Sequence, residues 1–224
     1  MGVKPILFNT EMVKAILDGR KTCTRRVIKR AIPFDEKAEY RNMLKHGEMK
    51  GAICKDLFVK QCSPYQLGDF LYVRETFAWC PCWDCGLDSK EGGCEYEIER
   101  IYNEKKFEYG CYVYRASCED NEHPSADTWH PSIHMPKEAA RIWLKVTDIK
   151  MERLHAISED EAKQEGANFE DGKNVGFEEK MKRTAIESFI EIWNSTIKAS
   201  DIDRYGWDAN PYVWSIEFAR CEKP

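Results

Sequence analysis

The sequence opens without a long apolar run. Met1 to Asn9 carry one lysine and a short apolar stretch, too short for a secretory leader or a membrane span. The Met-Gly start has no Ser or Thr at position 6, so the N-myristoylation pattern is not met. There is no internal repeat and no low-complexity tract, which excludes solenoid and linker architectures. These absences lead to the expectation of a cytoplasmic protein with no membrane association. In that setting the ten cysteines read as thiols or metal ligands rather than disulfides, and Asn194-Ser195-Thr196 as a chance glycosylation match.

What is present is enough for a core. The chain has 224 residues and 42% hydrophobic content, so one domain with insertions, or one domain plus a small module, is expected. The net charge is -5, yet no acid interrupts the stretch from Arg20 to Arg30. A local cationic turn on an acidic chain points to a site for a phosphate-bearing or nucleic-acid-derived ligand. It does not suggest a general polyanion-binding surface.

The patterning predicts a mixed α+β fold. Pro5 to Phe8 reads as a strand. Thr10 reads as the N-cap of a helix over Glu11 to Asp18, closed by Gly19. Residues 31–58 are polar and read as a loosely helical connection. A strand is expected from Phe70 to Phe77 after the turn Leu67-Gly68-Asp69, and others over Cys111 to Ala116 and Arg141 to Ile149. Ser158 and Glu161 form a capping-box pattern for a helix that stops at Gly166. A second helix is expected over Lys180 to Asn194, and a last strand over Tyr212 to Ala219, after the turn Trp207 to Pro211.

Four groups of residues carry candidate chemistry. Lys21 and Thr24 lie in Gly19-Arg20-Lys21-Thr22-Cys23-Thr24-Arg25-Arg26. A threonine hydroxyl becomes a nucleophile only when a neighbour takes its proton. A lysine does this only with a lowered pKa, toward which Arg20, Arg25 and Arg26 push it by repulsion. The alternative is a solvated basic loop that binds phosphate. Glu165 stands at a helix C-terminus, where the dipole disfavours a carboxylate and suits a proton carrier. The alternative is an ordinary exposed glutamate before a capping glycine. Cys80, Cys82, Cys85 and Cys94 are spaced for a structural zinc, or are reduced thiols in a loop, since the double C-x2-C spacing is lacking; Cys54 and Cys62 are substitutes. Trp129 and His134, with His130, sit among prolines in a segment that lines a pocket or simply packs. Asp69 reads as a turn residue, and Glu75 faces either a cationic site or solvent.

Gly19 to Arg26, Gly68-Asp69 before a strand carrying Val73-Arg74, Ile157 to Ala162 leading to Glu165-Gly166, and the closing Ser215-Ile216-Glu217-Phe218 occur in the order seen in ASCH domains, relatives of the PUA fold. The chain resembles the longer ASCH proteins of bacteriophages and prophages over nearly its full length. It resembles the small N4-acetylcytidine amidohydrolases over the core alone. The resemblance implies a single PUA-like domain over 1–224, with insertions at about 31–60 and 78–137. It implies a PUA-like β pseudobarrel with packed helices and an inserted Cys-rich segment. It further implies a hydrolase that removes an acyl group from a modified cytidine or related nucleoside. Lys21 is then the proton acceptor, Thr24 the nucleophile and Glu165 the proton donor, with no catalytic cofactor and a zinc, if bound, structural. Arg20, Arg25, Arg26, Trp129 and His134 become contacts to RNA or a modified nucleoside. The alternatives are a non-catalytic RNA-binding or modified-base-reading module, and a ribonuclease on the same scaffold. One departure stands out: Arg25-Arg26 occupies the place where the small enzymes have an apolar residue and a single arginine.

Overall fold

The computed structural model describes residues 1–29, 55–81, 101–104, 108–118, 128–167 and 184–224. The fold is mixed α+β, with two sheets and five helices among the described residues. The chain order is β1 (Val3–Leu7), α1 (Thr10–Leu17), β2 (Cys23–Val27), α2 (Lys55–Cys62), β3 (Phe70–Arg74), β4 (Phe77–Pro81), β5 (Ile101–Asn103), β6 (Glu108–Tyr114), β7 (Trp143–Arg153), α3 (Glu159–Gln164), α4 (Ala185–Thr196), α5 (Ile202–Tyr205) and β8 (Tyr212–Cys221). One sheet has the order β1-β3-β7-β8-β2 and the other β4-β6-β5. No β1–β2 pairing closes the larger sheet among the described residues. Two compact units are present. The first comprises Met1–Gly2, Gly19–Phe70 and Lys145–Arg220; the second comprises Val3–Asp18, Leu71–Leu144 and Cys221–Pro224.

In the first unit, β2 runs antiparallel to β8, with Thr24 opposite Ile216, Arg25 opposite Ser215 and Arg26 opposite Trp214. Side chains alternate across a strand, so Cys23, Arg25 and Val27 share one face and Thr24 and Arg26 the other. The Arg25 face looks toward α3 and α4, whose Ala162, Ala185, Phe189 and Trp193 form a buried cluster with Leu154, Ile157, Ala167 and Val213. On the other face, Phe58 of α2 stacks on Trp214 at 5.7 Å between ring centroids.

The capping box expected at α3 is present: Ser158 N donates to Glu161 Oε2 at 2.9 Å and Glu161 N to Ser158 Oγ at 3.3 Å. The helix stops as expected, at Gly166 with φ +84°. Gly166 N bonds Lys163 O and Ala167 N bonds Ala162 O, the two hydrogen bonds of a Schellman ending. α4 starts with a second capping box, from Thr184 and Glu187. Asp69 is the expected turn residue, accepting from Gly2 N and Gln66 N.

The second unit corrects three boundaries. Asn9, not Thr10, caps α1, accepting from Met12 N at 2.9 Å. The strand expected over Phe70 to Phe77 breaks after Arg74: the buried Glu75 side chain turns to Arg141, and β4 restarts at Phe77 to pair with β6. β6 ends at Tyr114 rather than Ala116, because Arg115 to Ser117 form a 3-10 turn. Trp143 is buried with Phe77, Met135 and Ala139. No helix among the described residues is long and apolar enough to cross a membrane.

Candidate functional site

The segment Arg20–Thr22 caps the C-terminal end of α3. The last carbonyls of a helix lack intrahelical donors and carry the negative end of its dipole. Here Thr22 N donates to Gln164 O at 2.9 Å, Lys21 Nζ to Glu165 O at 2.8 Å and Arg20 Nη1 to Gly166 O at 3.3 Å. Lys21 and Glu165 also form an isolated antiparallel bridge. The cationic turn thus answers a specific demand of the fold, and its cations are brought to the Glu165 end of α3 by backbone hydrogen bonds.

Lys21 is 3% exposed and Glu165 6%. The Lys21 ammonium donates to Glu165 Oε2 at 2.7 Å and to Cys23 O at 2.8 Å. With the Glu165 carbonyl, these bonds match the three protons an ammonium carries. Burial lowers the Lys21 pKa, and Arg26 adds to this, while the Glu165 carboxylate opposes it. The direction agrees with the sequence expectation; the main cause is desolvation rather than repulsion from neighbouring arginines.

Arg25 is placed inside, at 3% exposure. Its Nη2 lies 2.8 Å from Glu152 Oε1 and 3.3 Å from Glu161 Oε2, and its Nη1 lies 3.4 Å from Glu165 Oε1. Its Nε donates to Glu152 Oε1 at 3.0 Å. Burial works against the Arg25 charge, but the carboxylates, Glu165 first, outweigh it and raise its pKa. This guanidinium is therefore part of the interior rather than of a surface that meets a polyanion. Cys23 lies beside it, 3.6 Å from Ser215 Oγ, and burial pushes its thiol up to about 11, so the thiolate is not formed at neutral pH.

Thr24 is 4% exposed. It lies on the β2 face that carries Arg26. Arg26 is half-buried; burial lowers its pKa, against the pull of Tyr65 and Glu165. A cleft of about 570 Å³ has Tyr65, Leu67, Met151 and Glu152 among its walls. It thus includes a partner of each of the two arginines. Arg20 is exposed.

The remaining candidates belong to the second unit. Trp129 is half-buried against Ala78, Cys80, Cys111 and Val113. His134 is exposed at the end of the 3-10 turn Ser132–His134. Of the four cysteines spaced for zinc, Cys82, Cys85 and Cys94 lie outside the described residues, as does Cys54. Cys80 is buried opposite Cys111 on β6. No cluster of three or more His, Cys, Asp or Glu that could hold a metal occurs among the described residues.

Two participants were not identified from sequence. Glu152 fell beyond the expected end of β7, and Glu161 was assigned only to its capping box. A signal was present for Glu152: Ile149 and Met151 alternate with Lys150 and Glu152, so a strand pattern extends past Ile149, in the opposite phase to Leu144 and Val146. No protein-family model, curated protein or solved structure matches the chain.

Proposed function

We propose that this chain is a hydrolase of ASCH type, built on a PUA-like pseudobarrel, that removes an acyl group from an N4-acylated cytidine or related modified nucleoside. The observation that carries the reading is the buried 2.7 Å hydrogen bond between Lys21 Nζ and Glu165 Oε2, with Thr24 three residues further along the same segment. A proton moved across that bond converts an ammonium and a carboxylate into a neutral amine and a carboxylic acid. Those are the base and the acid that acyl transfer needs, and burial favours the uncharged pair.

In the acylation step Thr24 Oγ1 attacks the acyl carbon and Lys21 takes the hydroxyl proton. The C–N bond breaks as Glu165 gives its proton to the exocyclic nitrogen, which leaves as the amine of cytidine. Water then attacks the threonine ester. Glu165 accepts the proton of the water, and Lys21 returns one to Thr24 Oγ1, so the free carboxylic acid leaves and the starting state is restored. Arg26 and the exposed Arg20 are the cations available to an oxyanion or a phosphate.

A second reading has its own observation. Three bonds among the described residues use the protons of the Lys21 ammonium, and strand alternation turns Thr24 away from the Cys23 and Arg25 face. Both features suit a module that binds a modified nucleoside, free or in RNA, without cleaving it.

One experiment separates the two. The protein is incubated with N4-acetylcytidine and cytidine release is followed by chromatography. The hydrolase reading expects turnover, and a loss of at least about 10³-fold in Thr24→Ala, as for removal of a nucleophile. Absence of turnover by the natural sequence, or undiminished turnover by Thr24→Ala, rejects it. Saturable binding without product establishes the reader.

A further inference from the structure

The interior arginine has no part in the chemistry just described, yet it touches the carboxylate on which that chemistry turns. Glu165 presents Oε2 to Lys21 at 2.7 Å and Oε1 to Arg25 Nη1 at 3.4 Å. The Arg25 guanidinium is in turn held by Glu152, at 2.8 Å and 3.0 Å, and by Glu161 at 3.3 Å. Those two acids stand on β7 and α3, so the guanidinium is fixed from two elements besides its own strand. We propose that Arg25 is the positioning residue of this site: it holds one oxygen of Glu165 so that the other faces Lys21, while Glu152 and Glu161 neutralise it. The inference rests on the hydrolase reading for its catalytic consequence, but its geometric content stands apart from it.

The physical argument is one of competition. Two cations share one carboxylate. With Arg25 in place, Lys21 receives only part of the attraction of Glu165, and burial keeps the amine easier to deprotonate. Arginine suits this task because its planar fork spans several carboxylates at once; a lysine is a single point of charge. Without Glu152 and Glu161, the full charge of Arg25 would bear on Glu165 and compete more strongly with Lys21 for it. The charged and titratable groups that bear on Lys21 among the described residues are Glu165 from the end of α3, and Cys23 and Arg26 from β2. Arg25 acts on it through Glu165.

Removal of Arg25 therefore has a sign. Glu165 turns wholly to Lys21, which raises the Lys21 pKa. The test is an NMR titration of the full-length protein with 13C-labelled lysine, in which the Lys21 signal is the one absent from Lys21→Met. In Arg25→Gln its midpoint moves to higher pH by about one unit, the effect of a nearby charge. Turnover of N4-acetylcytidine falls about 100-fold in kcat, the effect of a misplaced catalytic group, with KM little changed. The rise of kcat/KM with pH moves in the same direction as the titration. If Arg25→Gln does not fold, Arg25→Gln with Glu152→Gln keeps the buried charges balanced and is read in the same way. Arg25→Lys, which keeps the charge but not the fork, holds the midpoint near its natural value while turnover stays low.

A Lys21 midpoint that is unchanged in the folded variant overturns the proposal. So does an equal drop in activity at every pH, which a merely structural arginine produces. Should the natural protein fail to turn over N4-acetylcytidine, the hydrolase reading falls while the titration still decides the role of Arg25.

Discussion

Two buried glutamates, one in each unit, meet their cations in different ways. Glu75, 1% exposed, is met by a single arginine among the described residues: Arg141 Nε and Nη2 each donate to one of its oxygens at 2.9 Å. The remaining nitrogen of Arg141 bonds Ser117 Oγ, and its guanidinium lies 4.1 Å from the centroid of the Tyr114 ring. Tyr114 is fastened too, donating to Ala139 O, and burial raises its phenol pKa well above the ordinary range. That arrangement is a matched pair in which each guanidinium nitrogen makes a hydrogen bond. Glu165, in contrast, is shared by two cations, one of which is shared again among three carboxylates. A bidentate pair fixes geometry and has nowhere to move a proton, since arginine does not give one up. A lysine–glutamate pair under competition can move one. The difference separates a structural staple from a candidate site, although both are buried ion pairs.

The largest effect on stability is expected at the staple. Arg141→Ala leaves Glu75 buried and uncompensated, a loss of about 3 kcal/mol in a urea or guanidinium titration. Glu75→Leu with Arg141→Met removes both charges together and recovers most of that loss, because the cost lies in the orphaned charge rather than in the absent bond. Turnover is unaffected by the double variant if the staple only holds the fold. On the hydrolase reading, the corresponding change at the other pair, Lys21→Met with Glu165→Leu, abolishes turnover of N4-acetylcytidine however well the protein folds.

A smaller effect, dependent on pH, is expected at Glu161. Burial opposes its ionisation, but the Ser158 amide and Arg25 outweigh this and lower its pKa below the usual carboxylate value. The carboxylate binds fewer protons when folded than when unfolded. Its contribution is therefore present above the ordinary carboxylate range and lost as pH falls through the lowered value. Glu161→Gln retains the capping box and removes the charge. Its stability deficit, measured by urea midpoints, is present at pH 7 and shrinks at pH 3. A deficit independent of pH places the role of Glu161 in the cap alone.

The smallest effect is expected at Lys150, an exposed residue whose pKa is raised by hydrogen bonds to Asp148 and Glu217. Surface pairs of this kind contribute little, so Lys150→Met changes stability by about 0.5 kcal/mol or less. A loss comparable to that at Arg141 removes the distinction between buried and exposed networks.

What was legible in the sequence was local. The start and stop of α3 follow from Ser158, Glu161 and Gly166, which act within one turn of the helix they bound. The cap of α1 was misplaced by one residue because Asn9 and Thr10 are both good caps, and only the bond to Met12 chooses between them. The strand over Phe70 to Phe77 reads as continuous because no Gly or Pro interrupts it, although Glu75 falls on the face of Leu71 and Val73. The element that breaks it is Arg141, 66 residues away from Glu75.

The chain by itself determined the secondary structure at its caps and alternating strands, the presence of Lys21, Thr24 and Glu165, and the cationic character of the turn. Only the tertiary structure decided which cations face inward. Arg25 and Arg26 are neighbours with the same charge, yet β2 turns them to opposite faces and the register with β8 sets Arg25 opposite Ser215. Glu152, 127 residues distant in the chain, then meets Arg25, and Glu165, 140 residues distant, is divided between Arg25 and Lys21. Local patterns set the period of an element. Its partners are set by packing across long loops, and there the electrostatics of this site arise.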